Sequence, residues 1–265
     1  MSQAAENENA PTLILATTTS TQDSGLLDAI LPAFEREHGV TVSVVAVGTG
    51  QALKLGEDGN ADVLLVHACA REEEFVEAGH GVRRHQVMFN DFVILGPPDD
   101  PAAIEGSHDA SEALQAIATA QTTFVSRGDD SGTHIKEKFL WKAAGVEPSG
   151  SWYRSTGQGM GAVLTMSNEL LAYTLSDRST YLKRTVQGIE LTIAVEGDER
   201  LFNPYSVLTV NPEKGDHIQA GLANTFIDWL LSESIQMQIG DYGVDEFGMP
   251  LFVPTAAEPV LTECD

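Results

Sequence analysis

The sequence predicts an α/β fold in which a mixed, mostly parallel sheet is flanked by helices. Short apolar runs alternate with amphipathic stretches, and glycine- or hydroxyl-rich turns follow several of the apolar runs. With 42% hydrophobic residues in a chain of 265, there is enough apolar surface for a sizeable core. Because parallel strands need a crossover connection, strict alternation with helices favours a parallel sheet.

The N-terminal quarter of the chain shows the alternation most clearly. In order, the predicted elements are a strand at 12–17, a helix at 24–39, a strand at 40–47, a short helix at 50–59 and a strand at 61–68. In open sheets of this kind, ligands bind beyond the C-terminal ends of the strands. We therefore expect a ligand-binding site at the turns that follow these strands.

Two long extended segments, 87–97 and 205–210, divide the chain, and each runs into a proline-bearing turn. The block between them has its own alternation of strands and helices. We therefore expect one lobe formed by 1–95 with 207–265, and a second lobe, 96–206, inserted into it. The two crossings would act as a hinge, and a cleft between two such lobes is a common place for a small ligand.

Four strand-to-helix turns carry hydroxyls or glycines where a helix begins. They are TTTSTQDSG at 17–25, GTGQA at 48–52, SRGDDSGTH at 126–134 and STGQGMG at 155–161. A helix start offers unpaired backbone N–H groups and roughly half a positive charge, which attracts anions. One such turn can be no more than a helix cap, for example at Asp130 or Ser131. Four in one chain indicate anion binding.

Charge limits the possible partners. The chain has 39 acidic and 15 basic residues, with a net charge of -24. This balance argues against nucleic acid and anionic membrane as partners. An acidic surface poor in lysine is also typical of proteins from molar salt, where charge repulsion is screened over about 3 Å. We therefore expect a halophilic source.

The two cysteines and the ends of the chain bear on localisation. Cys264 lies in the C-terminal tail, so we expect Cys69 and Cys264 to be free. No apolar run is long enough for a membrane span, and the first residues lack the pattern of a signal peptide. The polar stretch SQAAENENAP resembles the tether that follows an anchor. We expect an extracytoplasmic protein, membrane-anchored through an N-terminal signal that is removed or omitted.

Seven motifs together resemble the tungstate-binding proteins of tungstate ABC importers. They are TTTSTQDSGLL, GTGQAL, ADVLLVHA, NDFVILGP, SRGDDSGTH, WYRSTGQGMGA and YTLSDRSTYL. The resemblance implies a two-lobed, type II periplasmic-binding-protein fold, related to molybdate and phosphate binders, with the ligand cleft between the lobes. Such a receptor closes on an oxyanion and passes it to a membrane permease. Cys69 stands where the family pattern has proline, which we interpret as local variation.

The resemblance also implies the ligand-binding residues. The first lobe would contribute Thr18, Thr19, Ser20, Thr49 and Gly50. The second would contribute Arg127, Ser131, Gly132 and Thr133, with Gly159 and Tyr173 placed by motif alone. A tight turn and a core aromatic are the alternative interpretations of the last two residues. Arg127 is the one full positive charge in this set, and Asp129 would orient it, as in the phosphate-binding relatives.

The chemistry of these turns favours an anion that has no proton to donate. Tungstate and molybdate are fully deprotonated near neutral pH, whereas hydrogen phosphate carries an O–H that favours a carboxylate acceptor. The turns TTTS and GTGQA contain no carboxylate. We expect the carboxylate of Asp129 to bind and orient Arg127 and not to contact the anion. Sulfate would satisfy the same donors, so only cavity size separates it from tungstate.

Enzymatic functions fit the sequence poorly, and we expect none. In GDDSG, Asp129 stands where a nucleophile elbow needs glycine, and Ser131 with His134 has no evident third member. A dinucleotide motif through Gly157 and Gly159 lacks a strong preceding strand and a suitable acidic residue.

No metal or cofactor is expected beyond tungstate or molybdate as the transported ligand. His67 and Cys69 make at most two metal ligands, and a packed histidine with a small buried thiol is the simpler interpretation. We expect a monomer that binds the oxyanion and the permease of an ABC importer. The alternatives are an oxyanion-sensing effector module of the same fold, or a binder of sulfate or phosphate.

Overall fold

The computed structural model describes residues 10–257, which form two compact units. Unit 1 comprises 10–88, Tyr205–Tyr242 and 254–257, and unit 2 comprises Phe89–Pro204 and Gly243–Val253. Each unit has its own sheet, helices and buried core.

The predicted lobes and the two units of the structure have different boundaries. The predicted boundaries, after residues 95 and 206, follow the proline-bearing turns. The units instead divide after Met88 and after Pro204, inside two long strands, and unit 2 also includes Gly243–Val253. A strand that begins in one unit and ends in the other has no turn at the point of division, so its sequence gives no boundary signal there. The lobe boundaries stay a prediction.

Unit 1 begins with the alternation that the sequence predicts. Its first elements are β1 (Thr12–Thr18), α1 (Thr19–Asp23), α2 (Leu26–His38), β2 (Thr41–Val47), α3 (Thr49–Glu57), β3 (Val63–Val66) and α4 (Cys69–Glu77). The three predicted strands and the two predicted helices are confirmed. Helix α2 buries its apolar face and ends where Gly39 takes the left-handed conformation, with φ of 63°.

The chain then passes through β4 (Gly81–Gly96) into unit 2. The elements there are α5 (Ala110–Ala120), β5 (Phe124–Ser126), α6 (Gly132–Ala143), β6 (Tyr153–Ser155), α7 (Met160–Leu170), β7 (Thr174–Asp177), α8 (Arg178–Thr185) and β8 (Thr192–Val195). It returns through β9 (Phe202–Val210) to α9 (Ala220–Leu230), α10 (Glu233–Asp241), α11 (Val244–Phe247) and β10 (Val253–Pro254).

The sheet of unit 1 brings the ends of β1 and β2 together. Its strand order is β9-β3-β1-β2, with β1 parallel to both of its neighbours and β9 antiparallel to β3. Thr18 at the end of β1 is opposite Val47 at the end of β2. The turns that follow these two strands therefore leave the same edge of the sheet side by side.

Unit 2 contains antiparallel pairs around β4 and a separate two-stranded parallel sheet. Strand β4 pairs antiparallel with β7 and with β8, whereas β5 pairs parallel with β6. The alternation of strands and helices does not reveal the antiparallel pairs, because β4 enters from unit 1 as one long strand. Large aromatic side chains fill the core beside this sheet, including Phe92, Phe124, Trp141 and Tyr173.

The expectation of a free thiol at Cys69 is wrong. Cys69 is disulfide-bonded. A disulfide depends on the distance between two cysteines in the fold and not on their separation in sequence, so a position in a terminal tail was a poor guide. Cys264, the other cysteine of the sequence, lies outside the described residues, as does most of the stretch interpreted as a tether.

Within residues 10–257, no helix combines the length and the hydropathy that a bilayer crossing requires.

Candidate functional site

Thr18 is the centre of the first turn of unit 1. It caps α1, where its Oγ1 accepts a hydrogen bond of 3.2 Å from the backbone N–H of Thr21. The same oxygen lies 2.7 Å from Thr21 Oγ1, 3.1 Å from Ser20 Oγ and 3.1 Å from His67 Nε2. A hydroxyl has one hydrogen and two acceptor positions, so these neighbours engage Thr18 within the turn. The exposed Thr19 and the half-buried Ser20 remain accessible.

His67 was not predicted as a site residue, but it contacts two that were. Its Nε2 lies within hydrogen-bonding distance of Thr18 Oγ1, at 3.1 Å, and of Ser20 Oγ, at 3.3 Å. Its ring stacks on Tyr205 with centroids 4.6 Å apart. The interpretation as a packed histidine therefore describes only part of its role. The available signal was its position just after β3, since β3 lies beside β1 in the sheet.

The second predicted turn of unit 1 begins α3 without a capping side chain. Gly48 occupies the N-cap position and, as a glycine, has no side chain with which to cap the helix. Thr49 is buried, whereas Gly50 is half-buried in the first helical turn. Uncapped amides at a helix start are suited to an anion. Because β1 and β2 are neighbours, this turn lies next to the Thr18 turn.

In unit 2, Arg127 follows β5 and is held by Asp129. Its Nε donates to Asp129 Oδ2 at 2.9 Å, and its side chain is only 12% exposed. The expected contact between these two residues is thus present. Burial raises the pKa of Asp129, but the hydrogen bonds from Ser131 and the charge of Arg127 outweigh it, so the pKa lies below its usual value. Asp129 is therefore a carboxylate at neutral pH.

Ser131 serves as the N-cap of α6, as one interpretation of this turn proposed. Its Oγ accepts from the backbone N–H of His134 at 3.4 Å. Gly132 and Thr133 are the first two residues of the helix. Asp130, which precedes the cap, pairs with Lys138 Nζ at 2.7 Å. Both carboxylates of the turn thus have a cationic partner.

Gly128 allows the turn to pack closely against the end of β6. Its φ of 66° lies in the left-handed region, and a Cβ at this position would be 2.0 Å from Ser155 Oγ. Only glycine satisfies both conditions. Thr156 completes the contact, since its Oγ1 donates to the carbonyls of Ser126 at 3.1 Å and Arg127 at 3.2 Å.

A buried carboxylate, Glu137, supports this turn from beneath. It is 2% exposed and accepts hydrogen bonds from Ser126 Oγ at 2.8 Å, Trp141 Nε1 at 3.2 Å and Tyr153 OH at 2.7 Å. Burial raises its pKa, while these hydrogen bonds and one from the backbone N–H of Arg127 act in the opposite direction. Glu137 thereby links α6, β5 and β6 at the base of the Arg127 turn. Its role was not predictable from the sequence, since a glutamate in a charged helix usually faces water.

The two residues assigned by motif alone have different surroundings. Gly159 is the N-cap of α7 and, as a glycine, has no side chain with which to cap that helix. Tyr173 is fully buried in the core of unit 2, where its hydroxyl donates to Asp100 Oδ1 at 2.6 Å and accepts from the backbone N–H of Ala102 at 2.9 Å. The structure does not bring Tyr173 to the surface of the Arg127 turn. Its surroundings are those of the core aromatic that was the alternative interpretation.

Comparisons with known proteins define the class and then the family. Residues 5–234 match the family model described as a PBP superfamily domain. The tungstate-binding protein TupA of Peptoclostridium acidaminophilum is 53% identical over 248 residues, which cover 93% of this chain and 86% of that protein.

Two solved structures agree. The tungstate-binding protein TupA from Desulfovibrio alaskensis G20 is 45% identical, with a TM-score of 0.84 and coverage of 93% of this chain and 99% of that chain. The tungstate ABC transporter structure from Geobacter sulfurreducens is 53% identical, with a TM-score of 0.81 and coverage of 88% and 100% respectively. The chain therefore belongs to the PBP superfamily, in the family of the tungstate-binding protein TupA.

Proposed function

We propose that this chain is the substrate-binding protein of an ABC importer, which captures tungstate and delivers it to a membrane permease. The observation that carries the proposal is the 53% identity with a tungstate-binding protein across 93% of the chain. Molybdate has the same shape and charge and is expected to bind second. No observation favours the alternative of an oxyanion-sensing effector module.

The chemistry of the turns supports a fully deprotonated oxyanion. The Thr18 and Gly48 turns of unit 1 offer hydroxyls and backbone N–H groups. In unit 2, Asp129 is paired with Arg127 and Asp130 with Lys138. Each carboxylate is thus already engaged by a cation, which makes it a weaker acceptor for the O–H of hydrogen phosphate. A donor-only surface favours tungstate, molybdate or sulfate.

The proposed ligand-binding residues are among those that the family resemblance implies. In unit 1 they are Thr18, Thr19, Ser20, Thr49 and Gly50, with Thr18 acting through its neighbours. In unit 2 they are Arg127, Ser131, Gly132, Thr133 and Gly159, with Asp129 orienting Arg127. The short Arg127 to Asp129 hydrogen bond supports the orienting role. Arg127 supplies a full positive charge, which makes it the strongest test position in unit 2.

An extracytoplasmic location is part of the proposal, and the bonded state of Cys69 supports it. Disulfides form and persist in oxidising compartments such as the periplasm and the cell exterior, and are rare in the cytosol. A receptor that feeds an importer must also meet its ligand on the outer side of the membrane. Membrane anchoring, the monomeric state and a halophilic source stay predictions.

Isothermal titration of the purified chain with tungstate, molybdate, sulfate and phosphate tests the proposal. We expect tungstate to bind most tightly, then molybdate, with sulfate and phosphate far weaker. Loss of a charge-assisted hydrogen bond in Arg127→Ala should weaken tungstate binding by at least about tenfold. Lys142→Ala is the control, since it removes an exposed positive charge from the last turn of α6. Phosphate binding equal to tungstate binding would exclude the assignment.

A further inference from the structure

Arg71 is a cation beside the second turn of unit 1, although no motif of the sequence predicts a role for it. It lies on α4, near the start of that helix. A Cβ built on Gly50 would be 3.1 Å from Arg71 Nη2, 3.3 Å from Nη1 and 3.7 Å from Cζ. The guanidinium end of the side chain, and not its aliphatic stem, therefore faces the first turn of α3.

This position is electrostatically unfavourable in the protein alone. The N-terminus of a helix carries a partial positive charge, so a neighbouring cation is repelled. Glu74 stands three residues after Arg71 on the same helix, a spacing that permits an ion pair. Yet within residues 10–257 Arg71 makes no ion pair or hydrogen bond, and its guanidinium instead lies beside Gly50. An anion bound at the helix start, within reach of the guanidinium, would offset the repulsion.

The surroundings of Arg71 are those of the proposed oxyanion site. Gly50 belongs to the turn after β2, which lies beside the turn after β1 because Thr18 and Val47 are register partners. The donors proposed for these two turns are neutral hydroxyls and amides. Arg71 is exposed, so its side chain is accessible from solvent. It brings a full positive charge to a part of unit 1 where the sequence predicted none.

We infer that Arg71 is a further ligand-binding residue of unit 1, which donates charge-assisted hydrogen bonds to the oxyanion at the start of α3. The inference rests on the proposed function. A dianion gains more from a guanidinium than from a hydroxyl, because the charge-assisted bond is about twice as strong as a neutral one. Arg71 thus contributes to the preference for doubly charged anions.

The test is a charge series at position 71, measured by isothermal titration with tungstate. We expect Arg71→Lys to weaken binding by a few-fold, Arg71→Ala by about tenfold and Arg71→Glu by roughly a hundredfold, in line with the loss and then the reversal of one charge. Arg36→Ala is the matched control, because Arg36 is an exposed arginine of unit 1 at the far end of α2. It should change the affinity less than twofold.

The outcomes separate this inference from the proposed function. If the wild type binds tungstate and Arg71→Ala binds as tightly as Arg36→Ala, the inference is overturned and the function stands. If the wild type does not bind tungstate, the function fails and the inference falls with it. Thermal unfolding of each variant without tungstate is the second readout. A lower midpoint for Arg71→Ala that accounts for its weaker binding would assign Arg71 a structural role instead.

Discussion

Unit 1 and unit 2 both present turns suited to an oxyanion, but they build them from different chemistry. In unit 1 the turns follow two adjacent parallel strands, and the Thr18 hydroxyl connects Ser20, Thr21 and His67. In unit 2 the turn after β5 depends on charged groups. Arg127 pairs with Asp129, and Glu137 lies buried beneath them.

The two units differ in the hydrogen bonds that stabilise the conformation of each turn. A hydroxyl donates and accepts at once, so neighbouring threonines and serines can satisfy one another without buried charge. A buried carboxylate needs several donors, and those donors in turn depend on it. We therefore expect the turn of unit 2 to be the more sensitive of the two to loss of a single group. Substitutions of Glu137, of Lys136 beside it on α6 and of Thr18 test this expected difference in sensitivity.

Glu137→Leu should cause the largest loss of stability. It would leave the buried donors of Ser126, Trp141 and Tyr153 without their acceptor, at about 1–3 kcal/mol for each group that finds no substitute. We expect the free energy of unfolding to fall by about 3 kcal/mol, measured by denaturant titration. Glu169→Leu, at an exposed position on α7, is the control and should change it by less than about 0.5 kcal/mol. A loss below about 1 kcal/mol for Glu137→Leu would contradict the greater sensitivity expected for the turn of unit 2.

Lys136 precedes Glu137 on α6, and it should make the free energy of unfolding depend on pH. Its Nζ donates to the carbonyls of Arg200 at 3.0 Å and Phe202 at 3.1 Å. Burial lowers its pKa to about 8, from 10.5 for a free side chain. Between these two values the unfolded chain binds more protons than the folded one, so the free energy of unfolding rises with pH in that window.

Lys136→Met should remove this dependence. From pH 7 to pH 10, the wild type should gain about 2 kcal/mol of unfolding free energy relative to the variant, because most of the shifted titration falls in that interval. Denaturant titrations at the two pH values measure the difference. Lys142→Met, at an exposed position of the same helix, should track the wild type. If the free energies of unfolding of the wild type and Lys136→Met differ by the same amount at both pH values, folding does not lower the pKa of Lys136.

Thr18→Val should cause the smallest of the three effects. The side chains have nearly the same shape, and the change removes the cap of α1 at a cost of about 1 kcal/mol. Ser20 Oγ and His67 Nε2 lie 3.3 Å apart and can still bond to each other, whereas the buried Thr21 hydroxyl loses its neighbour. Thr12→Val, at the exposed start of β1, is the control. If Thr18→Val destabilises the protein as much as Glu137→Leu, the two turns are equally dependent on one group.

Much of the fold was predictable because it follows from short-range rules. The strands β1, β2 and β3 match the apolar runs, and Gly39 ends α2 as its position after the amphipathic stretch predicts. The turns rich in hydroxyls and glycines were visible for the same reason, since helix caps and strand ends depend on residues a few positions apart. The antiparallel partners of β4 were not visible, because strand pairing depends on the whole chain.

The sequence by itself determined the alternation of strands and helices, the donor-rich turns and the family resemblance. Only the tertiary structure placed His67 against Thr18, which is 49 residues away, and Arg71 against Gly50. It also put Tyr173 in the core, Glu137 beneath Arg127 and Cys69 in a disulfide. The physical reason is that capping and periodicity act within a few residues. Contacts between distant residues depend on sheet order and register, which are fixed only when the apolar faces of all the elements are buried together.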